Sequence, residues 1–164
     1  MIASIHYGDG FDFYLGDFFQ GKTQYDSYLR YFEILQEMVE NFNNFDVLGH
    51  LDFIVRYGPF EDKDYDFNTF KPIIDKILLR TIKKGKGIEI NTSGLREPNN
   101  TFYPKNQVIE RYKELGGSIL TIGSDSHFNQ QYGSGILKAV EFLKTTGVIE
   151  ISSFTQRKEM KIKL

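Results

Sequence analysis

The chain has 164 residues, a formal net charge of -2, 15 Phe and 10 Tyr, and neither Cys nor Trp. That length supports one domain with a real core. The missing cysteine excludes disulfides and thiolate metal sites, and a near-neutral charge without long runs of either sign argues against nucleic acid and membrane surfaces as partners. No apolar run approaches the roughly 18 residues of a membrane span, and the first residues do not read as a signal peptide, so a cytoplasmic protein is expected.

In chain order, Met1-Ile2-Ala3-Ser4-Ile5-His6 reads as a strand that ends on histidine. Residues 7–23 read as a polar and aromatic loop whose Asp9, Asp12 and Asp17 are either solvating carboxylates or substrate contacts. Thr23-Gln24-Tyr25-Asp26 resembles a capping box with Asp in place of Glu, and it opens a helix to about Asn41. Tyr28, Phe32, Leu35, Val39 and Phe42 fall on one face of that helix, an aromatic stripe for the core.

Phe45-Asp46-Val47-Leu48-Gly49-His50 is the second strand, again closed by histidine. Leu51-Asp52-Phe53-Ile54-Val55-Arg56-Tyr57-Gly58 follows, and Arg56, near the C-terminal end of that strand, suits either a salt bridge or an anion clamp. A solvated loop over 59–68 leads to a helix from about Thr69 to Lys84, with Pro72 in its first turn. Gly87-Ile88-Glu89-Ile90-Asn91 is the third strand, and Thr92-Ser93-Gly94-Leu95-Arg96 after it is either a phosphate-holding loop or an ordinary turn. A helix over Asn106–Leu115 stops at Gly116-Gly117, and a strand over 118–123 runs into Asp125 and His127. Taken alone, that D-x-H is either a turn or a pair of metal donors. Ser134 is expected to cap a helix over 135–146, and the tail reads as a hairpin.

The alternation β-α-β-α-β-α-β-α predicts a parallel sheet wrapped by helices, with the active site at the C-terminal strand ends. All three histidines of the chain close apolar runs, and His6, His50, Asn91 and Asp125 all fall at such ends. Imidazoles and a carboxylate converging there favour a divalent metal held by N and O donors, and two arginines beside it favour a phosphorylated substrate.

Four segments, taken in register, carry a resemblance. Ser4-Ile5-His6-Tyr7, Val47-Leu48-Gly49-His50-Leu51-Asp52 with Arg56-Tyr57-Gly58, Glu89-Ile90-Asn91-Thr92-Ser93-Gly94-Leu95-Arg96, and Gly123-Ser124-Asp125-Ser126-His127 resemble the later motifs of the polymerase-and-histidinol-phosphatase (PHP) superfamily. They are most similar to its histidinol-phosphate phosphatase branch. The resemblance implies an α/β fold of the distorted seven-stranded (β/α) barrel type, with about four β/α units present in a single, incomplete domain over 1–164. It implies hydrolysis of L-histidinol phosphate in histidine biosynthesis by a cluster of up to three divalent ions (zinc, manganese or iron). His6 and His50 resemble ligands of one metal, Asp125 of a second and His127 of a third. Arg56, Asn91, Ser93 and Arg96 resemble residues that hold the substrate phosphate or its surroundings.

The family also supplies a His-x-His strand, further histidines and a metal-bridging glutamate before the position matching His6, and none of these is in the sequence. The expectation is therefore little activity for the chain alone. The expected partners are a small phosphorylated substrate and either a missing N-terminal part or a second copy of the chain, with no nucleic acid and no membrane. The alternatives are another PHP phosphoesterase or nuclease, and a catalytically dead remnant that binds a partner chain.

Overall fold

Short apolar runs separated by amphipathic helices give this chain its sheet. The computed structural model describes all residues, 1–164. The strands are β1 (Ile2–Ala3), β2 (Tyr7–Gly8), β3 (Phe11–Asp12), β4 (Val47–Leu48), β5 (Gly87–Asn91), β6 (Leu120–Gly123), β7 (Glu150–Thr155) and β8 (Lys158–Lys163). The helices are α1 (Gln24–Asn41), α2 (Phe67–Lys83), α3 (Asn106–Glu114) and α4 (Ile136–Thr145). Strands β1, β4, β5 and β6 form one parallel sheet in that order. Each step from one of these strands to the next carries a helix, which is what parallel neighbours require. Strands β7 and β8 pair as the expected antiparallel hairpin.

The helices start and stop where their ends are chemically satisfied. The Thr23 hydroxyl accepts from the Asp26 N–H, so Thr23 caps the helix as expected, but the Asp26 carboxylate accepts from that hydroxyl rather than from the Thr23 N–H of a full capping box. Tyr28, Tyr31, Phe32, Leu35 and Val39 of α1 are buried against the apolar faces of α2 and the sheet. Helix α2 begins two residues earlier than its sequence suggests, because the Asp66 carboxylate takes the N–H groups of Asn68 and Thr69. Pro72 consequently falls in the second turn, where the Asn68 carbonyl loses its helical donor but remains exposed to water. Gly135, with φ +80°, rather than Ser134, caps α4.

Three local expectations fail for a common reason: aromatic and β-branched runs support more than one backbone. The first strand is two residues long, so Ser4, Ile5 and His6 leave the sheet. The segment read as a loop contains the β2–β3 hairpin, and Phe13 and Phe18 from it are fully buried. Phe53–Arg56 is a 3-10 turn, not a strand, so Arg56 stands at the end of a tight turn. The sheet is open, and β1 pairs only with β4. On that free edge Ile2 is 56% exposed. No helix is long and apolar enough to cross a membrane.

Candidate metal centre

The parallel sheet brings the ends of its strands to one cavity of about 770 Å³. His6, His50, Asn91, Asp125 and His127 line it, with Arg56 and Arg96. Residues more than a hundred positions apart therefore share one mouth, as the alternation of strands and helices predicts. Ser93 is the exception among the expected residues. It does not line the cavity, and its hydroxyl is buried without a hydrogen-bond partner.

The two histidines near the sheet edge are packed together. The His6 and His50 rings meet edge to face with centroids 5.1 Å apart, and Phe53 lies against both, at 5.6 Å and 4.1 Å. His6 is exposed and His50 is buried. Burial, with the His6 ring next to it, holds the His50 imidazole down to about 4, so it is neutral near pH 7. Its Nδ1 is buried and has no hydrogen-bond partner. A neutral imidazole with an unpartnered ring nitrogen has the chemistry of a metal ligand.

Across the mouth, His127 Nδ1 stands 3.9 Å from Asp125 Oδ1 and 3.1 Å from the Asp125 carbonyl oxygen. Asp125 is held in place by Arg96, whose Nη1 donates to the Ser124 carbonyl at 2.9 Å and whose Nη2 donates to the Asp125 carbonyl at 3.0 Å. The Asp125 charge opposes ionisation of Glu89 and favours protonation of His50, which ties the two sides of the cavity electrostatically. His50 and Asp125 both adopt positive φ, +27° and +46°. Such backbone is costly for residues with a Cβ and concentrates at functional sites.

Glu89 belongs to the site although its sequence context suggests only a strand residue. It is buried in β5 and lines the cavity. Burial raises its pKa. Its Oε2 accepts from the His50 N–H at 3.2 Å and from Asn91 Nδ2 at 3.3 Å, so it ties β5 to the end of β4. A Cβ on Gly123 would meet Glu89 Oε1 at 2.3 Å, so β6 needs glycine there to accommodate the carboxylate. Gly123→Ala should therefore displace Glu89 and lower divalent-metal affinity by about tenfold, the scale of losing a supporting contact to a ligand. Equilibrium dialysis with zinc would measure it, and unchanged affinity would remove Glu89 from the site.

The donors are two imidazoles on one side and a carboxylate–imidazole pair on the other, with Glu89 between strands. Their types suit zinc or another divalent ion with N and O ligands. No three His, Asp or Glu side chains of this chain converge on one point, so an ion here would be held by the pairs His6/His50 and Asp125/His127 together with other donors.

Comparison with known proteins gives the family of the chain. The model of the PHP domain family matches residues 1–93, more than half of the chain. The chain belongs to the PHP family. Among PHP relatives, the histidinol-phosphatase of Lactococcus lactis subsp. lactis is 33% identical over 159 residues, which cover 96% of this chain and 59% of that protein. The probable histidinol-phosphatase of Thermotoga maritima is 35% identical over 152 residues, 87% of this chain and 60% of that protein. A crystal structure of the Lactococcus lactis histidinol phosphate phosphatase, complexed with zinc, L-histidinol and phosphate, superposes with a TM-score of 0.88 at 32% identity, over 97% of this chain and 60% of that one. The PHP chain described here thus spans about 60% of the length of these relatives.

Proposed function

We propose that this chain carries the substrate-facing part of a metal-dependent phosphomonoesterase that hydrolyses L-histidinol phosphate. The observation that supports it most is the meeting, in one cavity, of His6, His50, Asp125 and His127 with the guanidinium groups of Arg56 and Arg96. The names and the bound zinc, L-histidinol and phosphate of the relatives give the substrate.

In this reading His6 and His50 hold one divalent ion, and Asp125 and His127 bind on the opposite side. Bound ions supply Lewis-acid neutralisation of the phosphoryl oxygens and activation of water. Glu89 holds the His50 backbone and Phe53 packs against its ring. Arg56 and Arg96 face the phosphate, Arg96 with the N–H groups that its bonds to the Ser124 and Asp125 carbonyls leave free and Arg56 in exchange for Glu97. Arg96 does so while anchoring the Asp125 loop, so phosphate and metal ligand are held in one frame. Asn91 adds an amide at the floor of the cavity.

The unpaired side of β1 supports a further point: full activity requires a second polypeptide segment that pairs along β1 and adds ligands. Release of inorganic phosphate from L-histidinol phosphate, with zinc, manganese or iron, tests both parts. The chain alone should be nearly inactive, and co-expression with the N-terminal part of the Lactococcus lactis relative should give turnover. Robust turnover by the chain alone would overturn the requirement for a second segment. Turnover of the mixture that survives loss of both His6 and His50 would overturn the site.

A further inference from the structure

Glu97 has no part in the chemistry just described, yet it stands beside it. Its N–H closes the 3-10 turn Ser93–Arg96 on the Gly94 carbonyl, so it directly follows the arginine that straps Asp125. Its Oε1 lies 3.1 Å from Arg56 Nη2, and the two side chains are 32% and 28% exposed. Arg56 is further positioned by the rings of Phe53 and Tyr57, at 5.5 Å and 5.8 Å. The guanidinium expected to take the substrate phosphate is thus already neutralised by a carboxylate.

The pair is also a partition. Arg56 and Glu97 line the metal cavity on one side and a second cavity of about 430 Å³ on the other. The second cavity is walled by Glu61, Asp62, Asp64 and Glu97 against Arg56 and Lys63. Asn99 and the buried Tyr103 also line it. Asp64 is paired with Lys105 Nζ at 2.6 Å, so the acidity of the space comes from Glu61 and Asp62, with Glu97 at the partition.

A phosphate dianion entering the first cavity competes with the Glu97 monoanion for Arg56. Once it takes the guanidinium, Glu97 loses its cation. A phosphate ester with a neutral tail leaves that carboxylate unpaired beside the site, whereas a tail carrying a positive charge pairs it again. We propose that Glu97 is the specificity residue of this site, exchanging Arg56 for the ammonium or imidazolium group of a cation-bearing phosphate ester whose tail enters the second cavity. The inference rests on the phosphatase reading and adds to it the means of choosing among phosphate esters. Specificity then comes from a penalty on esters without a cation as much as from attraction to those with one.

The test uses two non-hydrolysable probes that differ in one charge, aminopropylphosphonate and propylphosphonate, titrated calorimetrically into the zinc-loaded chain. The chain should bind the amino compound about tenfold more tightly, the lower end of what a charge-assisted contact gives for a group one-third exposed. Glu97→Gln should erase that preference and leave propylphosphonate bound at least as tightly as before, because Arg56 is no longer neutralised. Glu97→Asp, which keeps the charge, should retain part of it and serves as the control for folding. A preference unchanged in Glu97→Gln overturns the specificity role while leaving the phosphate site standing. Failure of the unaltered chain to bind either phosphonate overturns the placing of the phosphate at Arg56 and Arg96, on which the inference rests.

Discussion

Replacing His50 by alanine should cost the chain its divalent metal. His50 is the donor that the fold has most thoroughly prepared: it is buried, held neutral and left with an orphaned Nδ1 beside the His6 ring. Loss of a partner that merely supports a ligand costs about 10–100-fold in metal affinity. Loss of the ligand itself should therefore weaken zinc binding by about 100-fold or more. Asp125→Ala should act in the same direction from the other side of the cavity. Metal content by elemental analysis after chelation and reloading would read both variants. Wild-type stoichiometry in both would show that the strand-end donors hold no ion.

The second large effect concerns Arg56. Arg56→Ala should weaken phosphate binding by about 10–100-fold, the equivalent of about 1.5–3 kcal/mol for a lost charge-assisted contact. It also leaves Glu97 facing the phosphate without its cation, which adds repulsion to the lost attraction. Calorimetric titration with inorganic phosphate on the zinc-loaded variant would measure the change. Affinity equal to that of the unaltered chain would exclude Arg56 from the phosphate site.

The gathering of the candidate donors at one cavity was legible because each marks a change of polarity. An imidazole or carboxylate that closes an apolar run is unlike its neighbours, and parallel topology sends such residues to one end of the sheet. His6, His50, Asp125 and His127 could be placed on that basis. Strand lengths could not, since pairing of β1 and β4 extends over only two residues and the flanking apolar residues turn away. The run Phe53–Arg56 is equally compatible with a strand and a tight turn, because a short apolar stretch has no diagnostic period. Tertiary packing decides it: Tyr65 and the Lys105 N–H donate to the buried Asp52 carboxylate that precedes the turn.

Glu89 and Glu97 escaped the sequence reading for different reasons. Glu89 did leave a signal, as a single acid inside Gly87-Ile88-Glu89-Ile90, where every neighbour is buried. A buried carboxylate is tolerated only with partners, and its partners, the His50 N–H and Asn91, belong to the site. Glu97 left none. Its meaning depends on standing 3.1 Å from a residue forty-one positions earlier, a relation that only the folded chain displays. Ser93 errs in the other direction, since the same turn that carries Arg96 to the cavity buries the serine hydroxyl.

Zinc K-edge X-ray absorption on the zinc-loaded chain, recorded with and without inorganic phosphate, tests the central claim most directly. The account predicts a first shell of nitrogen and oxygen with the multiple scattering of imidazole, diminished in His50→Ala, and a phosphorus shell that appears when phosphate is added. An oxygen-only shell, indifferent both to His50→Ala and to phosphate, would contradict it.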